Sequence, residues 1–448
     1  ASTALPPKQR VMPPVTGLSE PNKKMVKPIR IHWIILLPLI LVLLASNSRS
    51  KEKPFRPKVG EFPPLEKAHS YQGELTFVDH ANRRGSIRID GNGRFRFVAP
   101  SPFALLPYGL VRYQGAPADL RDIPLGTVMH VKAFLPPDPK ISAVPVLPVD
   151  NREKKYGYSG TGVAPAENHV YLLEDEPSHC KRLGLVWRLQ EVELKEKAGT
   201  IIARREAQAD KGKVLSETFS VDATTRFWRG RERLGITDLT DEKTWPKNGK
   251  KDLNDQTVFL GISWKPTPGG VFKRFHISDV WLDELAMERA AQIQNETHKA
   301  FVKSRWMPGW VDKVEYGKFG RAKVTVTLFG GMDDSLYADF KKGQKAMLAS
   351  SENTLKHWAG GTAGTAQMAS RGILLEISKT NKRAPLGSSG IQVSLETDLV
   401  TEGFRPGKVI RIRPESWPLL EVPREEYIHH TLDGIEKRFP TPDIFPKK

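Results

Sequence analysis

Apolar side chains recur at every second position along much of this chain: Leu185, Trp187 and Leu189; Phe219 and Val221; Ala322, Val324, Val326 and Leu328; Ile373, Leu375 and Ile377; Ile391, Val393 and Leu395. A period of two places all the apolar groups of a segment on one face of a strand. Clusters of Gly, Asp and Ser close each run within a few residues. A row of short strands, each greasy on one face, buries that face by rolling into a small antiparallel barrel. The 448 residues exceed what one core usually serves, and the 36 glycines and 35 prolines favour short elements joined by turns. A mainly β chain of several barrels is therefore expected.

Short repeats set the number of barrels. Gly126-Thr127-Val128-Met129-His130-Val131 and Gly407-Lys408-Val409-Ile410-Arg411-Ile412 match position by position, and Gln256-Thr257-Val258 is a weaker copy with Gln256 in place of the glycine. Each follows an Asp-Leu pair, at Asp119, Asp252 and Asp398. Three related units in tandem are thus predicted, over residues 67–135, 177–278 and 307–413. In the first, a turn at Gly91-Asn92-Gly93 pairs Ile89 with Phe95 and Ile87 with Phe97. In the third, Leu336, Ala338 and Phe340 read as one of the strands.

Residues 136–176, with Pro136, Pro137, Pro139, Pro145 and Pro148, read as a linker. Residues 279–306 carry the one convincing helical pattern, with Leu282, Leu285, Ala286, Ile293, Thr297 and Ala300 on a shared side, Ser278 as N-cap and Pro308-Gly309 as the stop. At 1.5 Å per residue that helix spans roughly 42 Å, enough to bridge two barrels.

Val221-Asp222-Ala223-Thr224-Thr225-Arg226-Phe227, an Asp-Leu turn at Asp238-Leu239 or Asp252-Leu253, and the strand Gln256 to Leu260 follow one another in the second unit. In this run the unit resembles small exported bacterial OB-like domains of unknown function, whose parts are a VDxxTxF segment, a DL turn and a closing GxxVxV strand. It departs from them by a charged insertion over 240–251 and by the missing glycine. The resemblance implies a fold, an OB-like barrel, and export; it brings no catalytic residues. The expected architecture is three OB-like antiparallel β-barrels in tandem, a long bridging α-helix, an N-terminal hydrophobic helix and Pro-rich irregular termini, the last over 414–448.

Within the N-terminal region 1–66, the signal or anchor segment 31–48 holds a run from Ile31 to Ala45 in which only His32 is polar, and it follows Lys23, Lys24, Lys27 and Arg30. The apolar core suits either a cleaved signal or an uncleaved anchor that tilts or thins the bilayer. A bacterial protein, membrane-anchored and facing the periplasm or cell exterior, or secreted after cleavage, is the expectation. Residues 49–66 read as a stiff Pro-rich spacer holding the barrels off the membrane. Cys180 is the single cysteine, so stability must come from packing without an intrachain disulfide or thiolate cluster. The net charge of +18 is densest in residues 1–50, which carry 7 cations and 1 anion. Elsewhere acids dilute it, so charge alone is weak support for nucleic acid.

The candidate binding residues are Arg226, Trp228, Arg229, Arg231 and Arg233, which interleave guanidinium groups with an indole, and the strand face of Arg88, Arg94 and Arg96. Such a face suits phosphate or sulfate groups together with stacked bases or sugars. Trp306 and Trp310 in WMPGW read as packing groups at the helix end. Ser159 in GYSGTG lacks nucleophile-elbow spacing, and no catalytic, cofactor or metal motif stands out. The functional expectation is a non-enzymatic scaffold or binding module of the cell envelope, with an envelope protein or anionic polymer as partner. A polyanion, oligosaccharide or nucleic-acid binder using the arginine faces is the alternative, and a hydrolase with an unrecognised site is the third class.

Overall fold

The computed structural model describes residues 55–58, 60–80, 83–89, 100–135, 168–195, 197–207, 215–240, 256–267, 273–349, 369–380, 384–398 and 404–418. The hydrophobic segment 31–48, Arg94 and Arg96, and the tail beyond Pro418 lie outside them. Among the described residues no helix is long and apolar enough to cross a membrane.

The first barrel contains β1 (His69–Asp79), β2 (Arg84–Ile89), β3 (Ser101–Tyr113), β4 (Ala116–Pro117), β5 (Val128–Phe134) and β6 (Asn168–Asp175). The order β2-β1-β5-β6-β3 closes because β3 also pairs β2, and β4 extends the edge of β3. The β3–β6 pair is parallel and every other pair is antiparallel.

After helix α1 (Glu176–Leu183) come β7 (Leu185–Leu194), β8 (Ala198–Ala207), β9 (Leu215–Asp222), β10 (Arg226–Arg229), β11 (Glu232–Leu234), helix α2 (Ile236–Thr240), β12 (Thr257–Pro266) and β13 (Lys273–Trp281). The order β13-β12-β7-β8-β9 closes through a parallel β9–β13 contact, which repeats the first barrel's winding. Counting the five barrel strands of each in chain order, both run 1-2-3-5-4 and back to 1.

Helix α3 (Glu284–Arg305) leads to β14 (Met307–Tyr316), β15 (Ala322–Phe329), helix α4 (Asp334–Ala338), β16 (Lys345–Ala349), β17 (Ala369–Lys379), β18 (Ser388–Thr397) and β19 (Val409–Pro414). These six strands close as β14-β15-β18-β17-β16-β19 with every pair antiparallel. The protein is thus mainly β, with three closed barrels in tandem. The sixth strand lets the third barrel close without a parallel pair, so its winding departs from that of the first two.

A shared corner ties the three together. On the first strand of each barrel one residue is unpaired against the second strand: Thr76, Gln190 and Asp312. Such a bulge bends a strand sharply and raises its twist. The residue just before each bulge is buried, and its N–H donates to the carbonyl at the start of the closing strand: Leu75 to Thr127, 2.9 Å; Leu189 to Gln256, 3.1 Å; Val311 to Lys408, 2.9 Å. Gly126 and Gly407 return the bond to Leu75 and Val311 at 2.8 and 2.7 Å. Their φ values of +91° and +79° explain why glycine stands there. Gln256 therefore corresponds to Thr127 and Lys408, one place along from the match read in the sequence.

Several boundaries move. The strand β6, inside the stretch read as a linker, completes the first barrel. Ile87 pairs Ser101 in the β2–β3 register and not Phe97, and the turn at Gly91-Asn92-Gly93 with Phe95 and Phe97 lies outside the described residues. Leu336 and Ala338 lie in helix α4, which Asp333 caps through Ser335 N at 2.9 Å. Trp417, in the stretch read as tail, is buried in the third core and donates Nε1 to Asp339 at 2.7 Å. The long helix starts later than read, after β13, and its N-cap is Asp283 in place of Ser278. Its buried face comprises Ala286, Met287, Gln294, His298, Val302 and Arg305, leaving Leu285 and Ile293 exposed.

That helix bridges all three barrels. Gly230 of the second barrel donates its N–H to Asp283 at 2.9 Å. Gln294 donates to Asp122 of the first at 3.0 Å. Lys303 pairs Asp339 of the third at 3.0 Å. Between barrels one and three lies an aromatic cluster of Tyr108, Phe134, Tyr171, Trp310 and Phe329. Phe62 inserts into it with its ring 4.2 Å from Trp310 and 5.1 Å from Tyr108, and Phe55 sits 5.5 Å from Phe134. Residues 55 and 62, read as part of a stand-off spacer, are therefore packed against the barrels, since aromatic groups gain more from burial than from solvent. Trp306 and Trp310 are buried, as their packing role requires.

Candidate binding groove beside the second barrel

The stretch from Val221 to Leu239 folds as a corner, a hairpin and a helical turn. Asp222 opens the corner: its Oδ1 accepts from Thr224 N at 2.8 Å and Thr224 Oγ1 at 2.6 Å, the local bonding that favours Asp in turns. Thr225 Oγ1 donates to Ile277 O at 2.8 Å, and Phe227 fills the core. Asp238 accepts from Gly235 N at 2.7 Å while Leu239 plugs the barrel. The Asp-Leu pair of this unit is thus Asp238-Leu239, matching Asp119-Leu120 of the first barrel, where Asp119 caps a single 3-10 turn and Leu120 is buried.

Strand β10 lies parallel on β13, opposing Arg226 to Asp279 and Trp228 to Trp281. Arg226 and Trp228 share a face, and both spend their donors on the buried Asp279: Arg226 Nη2 to Oδ2 at 2.6 Å and Trp228 Nε1 to Oδ1 at 2.9 Å. These two residues therefore build the wall. Asp283 pins the tip of the β10–β11 hairpin through Gly230 and caps α3 through Ala286 N at 2.7 Å, which sets the hairpin beside the helix.

Between hairpin and helix is a groove of about 220 Å³, lined by Arg226, Trp228, Arg231, Asp279, Arg289 and Ile293. Arg231 and Arg289 are exposed. Arg229 and Arg233 are also exposed on the hairpin, opposite Glu232 and Trp228 respectively. The structure so gathers Arg226, Trp228 and Arg231 of the sequence-predicted set, and adds Arg289 and Ile293. Ile293 was missed because the apolar pattern turned it inward, whereas docking of the helix turned it out, and Arg289 meets the hairpin only through that docking.

Arg88 belongs elsewhere. Its Nη1 donates to Glu74 at 2.7 Å, and Glu74 also pairs with Lys273 of the second barrel. Arg88 thus serves a seam between two barrels. Arg94 and Arg96 fall outside the described residues.

A second polar cluster surrounds α1. Asp175 caps this helix through Ser178 N at 3.0 Å. The carboxylate of Glu176, 1% exposed, receives His130 Nε2 at 2.5 Å, Arg205 Nη1 at 2.7 Å, Trp187 Nε1 at 2.8 Å and Cys180 Sγ at 3.2 Å. Burial opposes its ionisation, but the bonds and charges of His130 and Arg205 outweigh that and hold the carboxyl well below the usual range. Burial, followed by the charge of Glu176, pushes the Cys180 thiol up. A thiol kept protonated is a poor nucleophile. His130 lies in the first barrel and Trp187 and Arg205 in the second, so this cluster joins them.

Comparison with known protein families, curated proteins and solved structures finds no match for this chain.

Proposed function

We propose that this protein is a non-catalytic binding module of the cell envelope whose groove between the β10–β11 hairpin and α3 takes an anionic oligosaccharide. The observation that carries this reading is the placement of two exposed guanidinium groups, Arg231 and Arg289, in one groove with Trp228 and Ile293, with Asp279 already committed to Arg226 and Trp228. Guanidinium groups bind sulfate, phosphate or carboxylate through two parallel bonds, and an indole edge with an aliphatic side chain offers apolar surface to a sugar ring. The same helix that forms one wall also contacts all three barrels, which favours a platform of fixed geometry. The cell-envelope placement rests on the basic flank and apolar run of residues 23–48.

The test is the affinity of the full chain for a sulfated oligosaccharide across a salt series. Binding should weaken as salt rises and fall at least tenfold in the double variant Arg231→Ala with Arg289→Ala. Affinity that ignores both salt and the double variant removes the groove as the site. A single-stranded oligonucleotide in parallel distinguishes a general polyanion surface from a glycan site.

A further inference from the structure

Where the first barrel, the third barrel and α3 meet, the structure leaves a partly open cavity of about 70 Å³, more than the roughly 30 Å³ share of one water. Its lining includes Arg83 from the turn before β2, His298 and Arg305 from α3, and Arg411 from β19. Asp119 is the one carboxylate among the described lining residues. Arg305 is 2% exposed, and His298 and Arg411 are each 8% exposed.

Neighbours hold these groups in place. Arg83 donates Nη1 to Pro107 O at 2.9 Å and Nη2 to Gly109 O at 3.0 Å. Arg411 Nη1 donates to Trp306 O at 3.3 Å, and the Arg305 guanidinium lies 5.3 Å from the Phe301 ring centre. The ring of His298 is different: its buried Nδ1 has no hydrogen-bond partner. Three guanidinium-bearing side chains thus line one cavity, and the imidazole adds a buried polar atom that needs a partner.

We propose that this cavity binds one small tetrahedral oxyanion, inorganic phosphate or sulfate, held by Arg83, Arg305 and Arg411 with His298 Nδ1–H as a fourth donor. Burial first, and then the charges of Arg112, Arg121 and Arg83, against the opposing charge of Asp122, push His298 down to about 4. The ring is therefore neutral near pH 7 and donates from one nitrogen. The bound anion joins two barrels and the helix, so it acts as a structural ligand separate from the surface groove.

Thermal unfolding of the full chain in phosphate, sulfate, glycerol phosphate and chloride at matched ionic strength tests this. Saturable increases in Tm at millimolar phosphate or sulfate are expected, abolished by Arg411→Met and reduced by His298→Leu. A larger increase with glycerol phosphate supports the site and shows that the anion arrives on a larger molecule. A linear, unsaturable increase shared by both variants is general salting and overturns the proposal. Crystals of the unaltered protein grown with selenate decide the matter if a variant fails to fold. An anomalous peak bounded by the three arginines and His298 supports the site, and water alone in the cavity overturns it.

Discussion

Glu176 offers the sharpest test of how the first two barrels are joined. Replacing it with alanine removes the acceptor for His130, Arg205, Trp187 and the Cys180 thiol at once. A bond to a charged group contributes about 1.5–3 kcal/mol, but bonds sharing one acceptor are not additive. The better guide is the cost of removing one partner from a buried ion pair, about 3–5 kcal/mol, because the guanidinium left behind has lost its counter-charge. Arg205 is 19% exposed at its side chain, so water recovers part of its solvation and the lower half of that range applies. Glu176→Gln keeps one acceptor oxygen and should cost roughly 2 kcal/mol. Adding Arg205→Ala to Glu176→Ala should cost less than the sum of the two single changes, by about 1–3 kcal/mol. Urea unfolding at pH 7, followed by circular dichroism, measures the four variants against the unaltered protein. A cost below about 1 kcal/mol for Glu176→Ala, or strict additivity with Arg205→Ala, refutes the joint described here.

Stability should fall with acid in two stages. Burial foremost lowers His169, His276 and His298 from 6.5 to about 4 in the folded protein, so below pH 6.5 the unfolded chain takes up protons first. Their contribution is complete above pH 6.5 and is lost on descent to about 4, at up to about 1.4 kcal/mol per pH unit for each histidine. Below the ordinary carboxyl pKa, Glu176 and Asp222, both depressed on folding, continue the loss. A urea midpoint unchanged between pH 7 and pH 5 contradicts this. Asp279→Ala should cost about 2–4 kcal/mol by depriving Arg226 and Trp228 of their acceptor, whereas Arg226→Ala should cost less because Asp279 keeps the indole. The reverse order in urea unfolding contradicts the assigned wall. Phe62→Ala should cost about 2 kcal/mol, below the range for a fully enclosed ring because Phe62 is only half-buried; an unchanged Tm means that the segment does not dock.

The barrels were legible because alternation is local. Val324, Val326 and Leu328 reveal their common face without reference to any other strand. Closure was less legible: the parallel β3–β6 pair brings Leu105 beside Val170, residues whose neighbourhood depends on the whole winding. Helix α3 shows why a helical wheel misleads when three bodies enclose an element. Gln294 goes inside because Asp122 receives its amide, and His298 and Arg305 go inside where they line the cavity against the first and third barrels, while Leu285 and Ile293 go outside. Helix α4 had a readable start, Asp333 with Ser335, but the spacing of Leu336, Ala338 and Phe340 mimicked a strand. In the groove, the arginine and tryptophan pattern was visible. The assignment of Arg226 and Trp228 to Asp279 was not, because their partner is 53 and 51 residues away.

The unpaired residues Thr76, Gln190 and Asp312 also constrain how such a chain can be altered. Each acts as a phase shift, since side chains after it point to the face opposite the one that strict alternation assigns. Flattening one into regular pairing while keeping the residue would turn the following half-strand inside out, exposing its apolar groups, whereas deleting it keeps Leu75 and Val78 on one face but removes the bend. A segment exchanged between barrels must therefore carry its extra residue with it, and the corner that receives it becomes the natural joint for building hybrids.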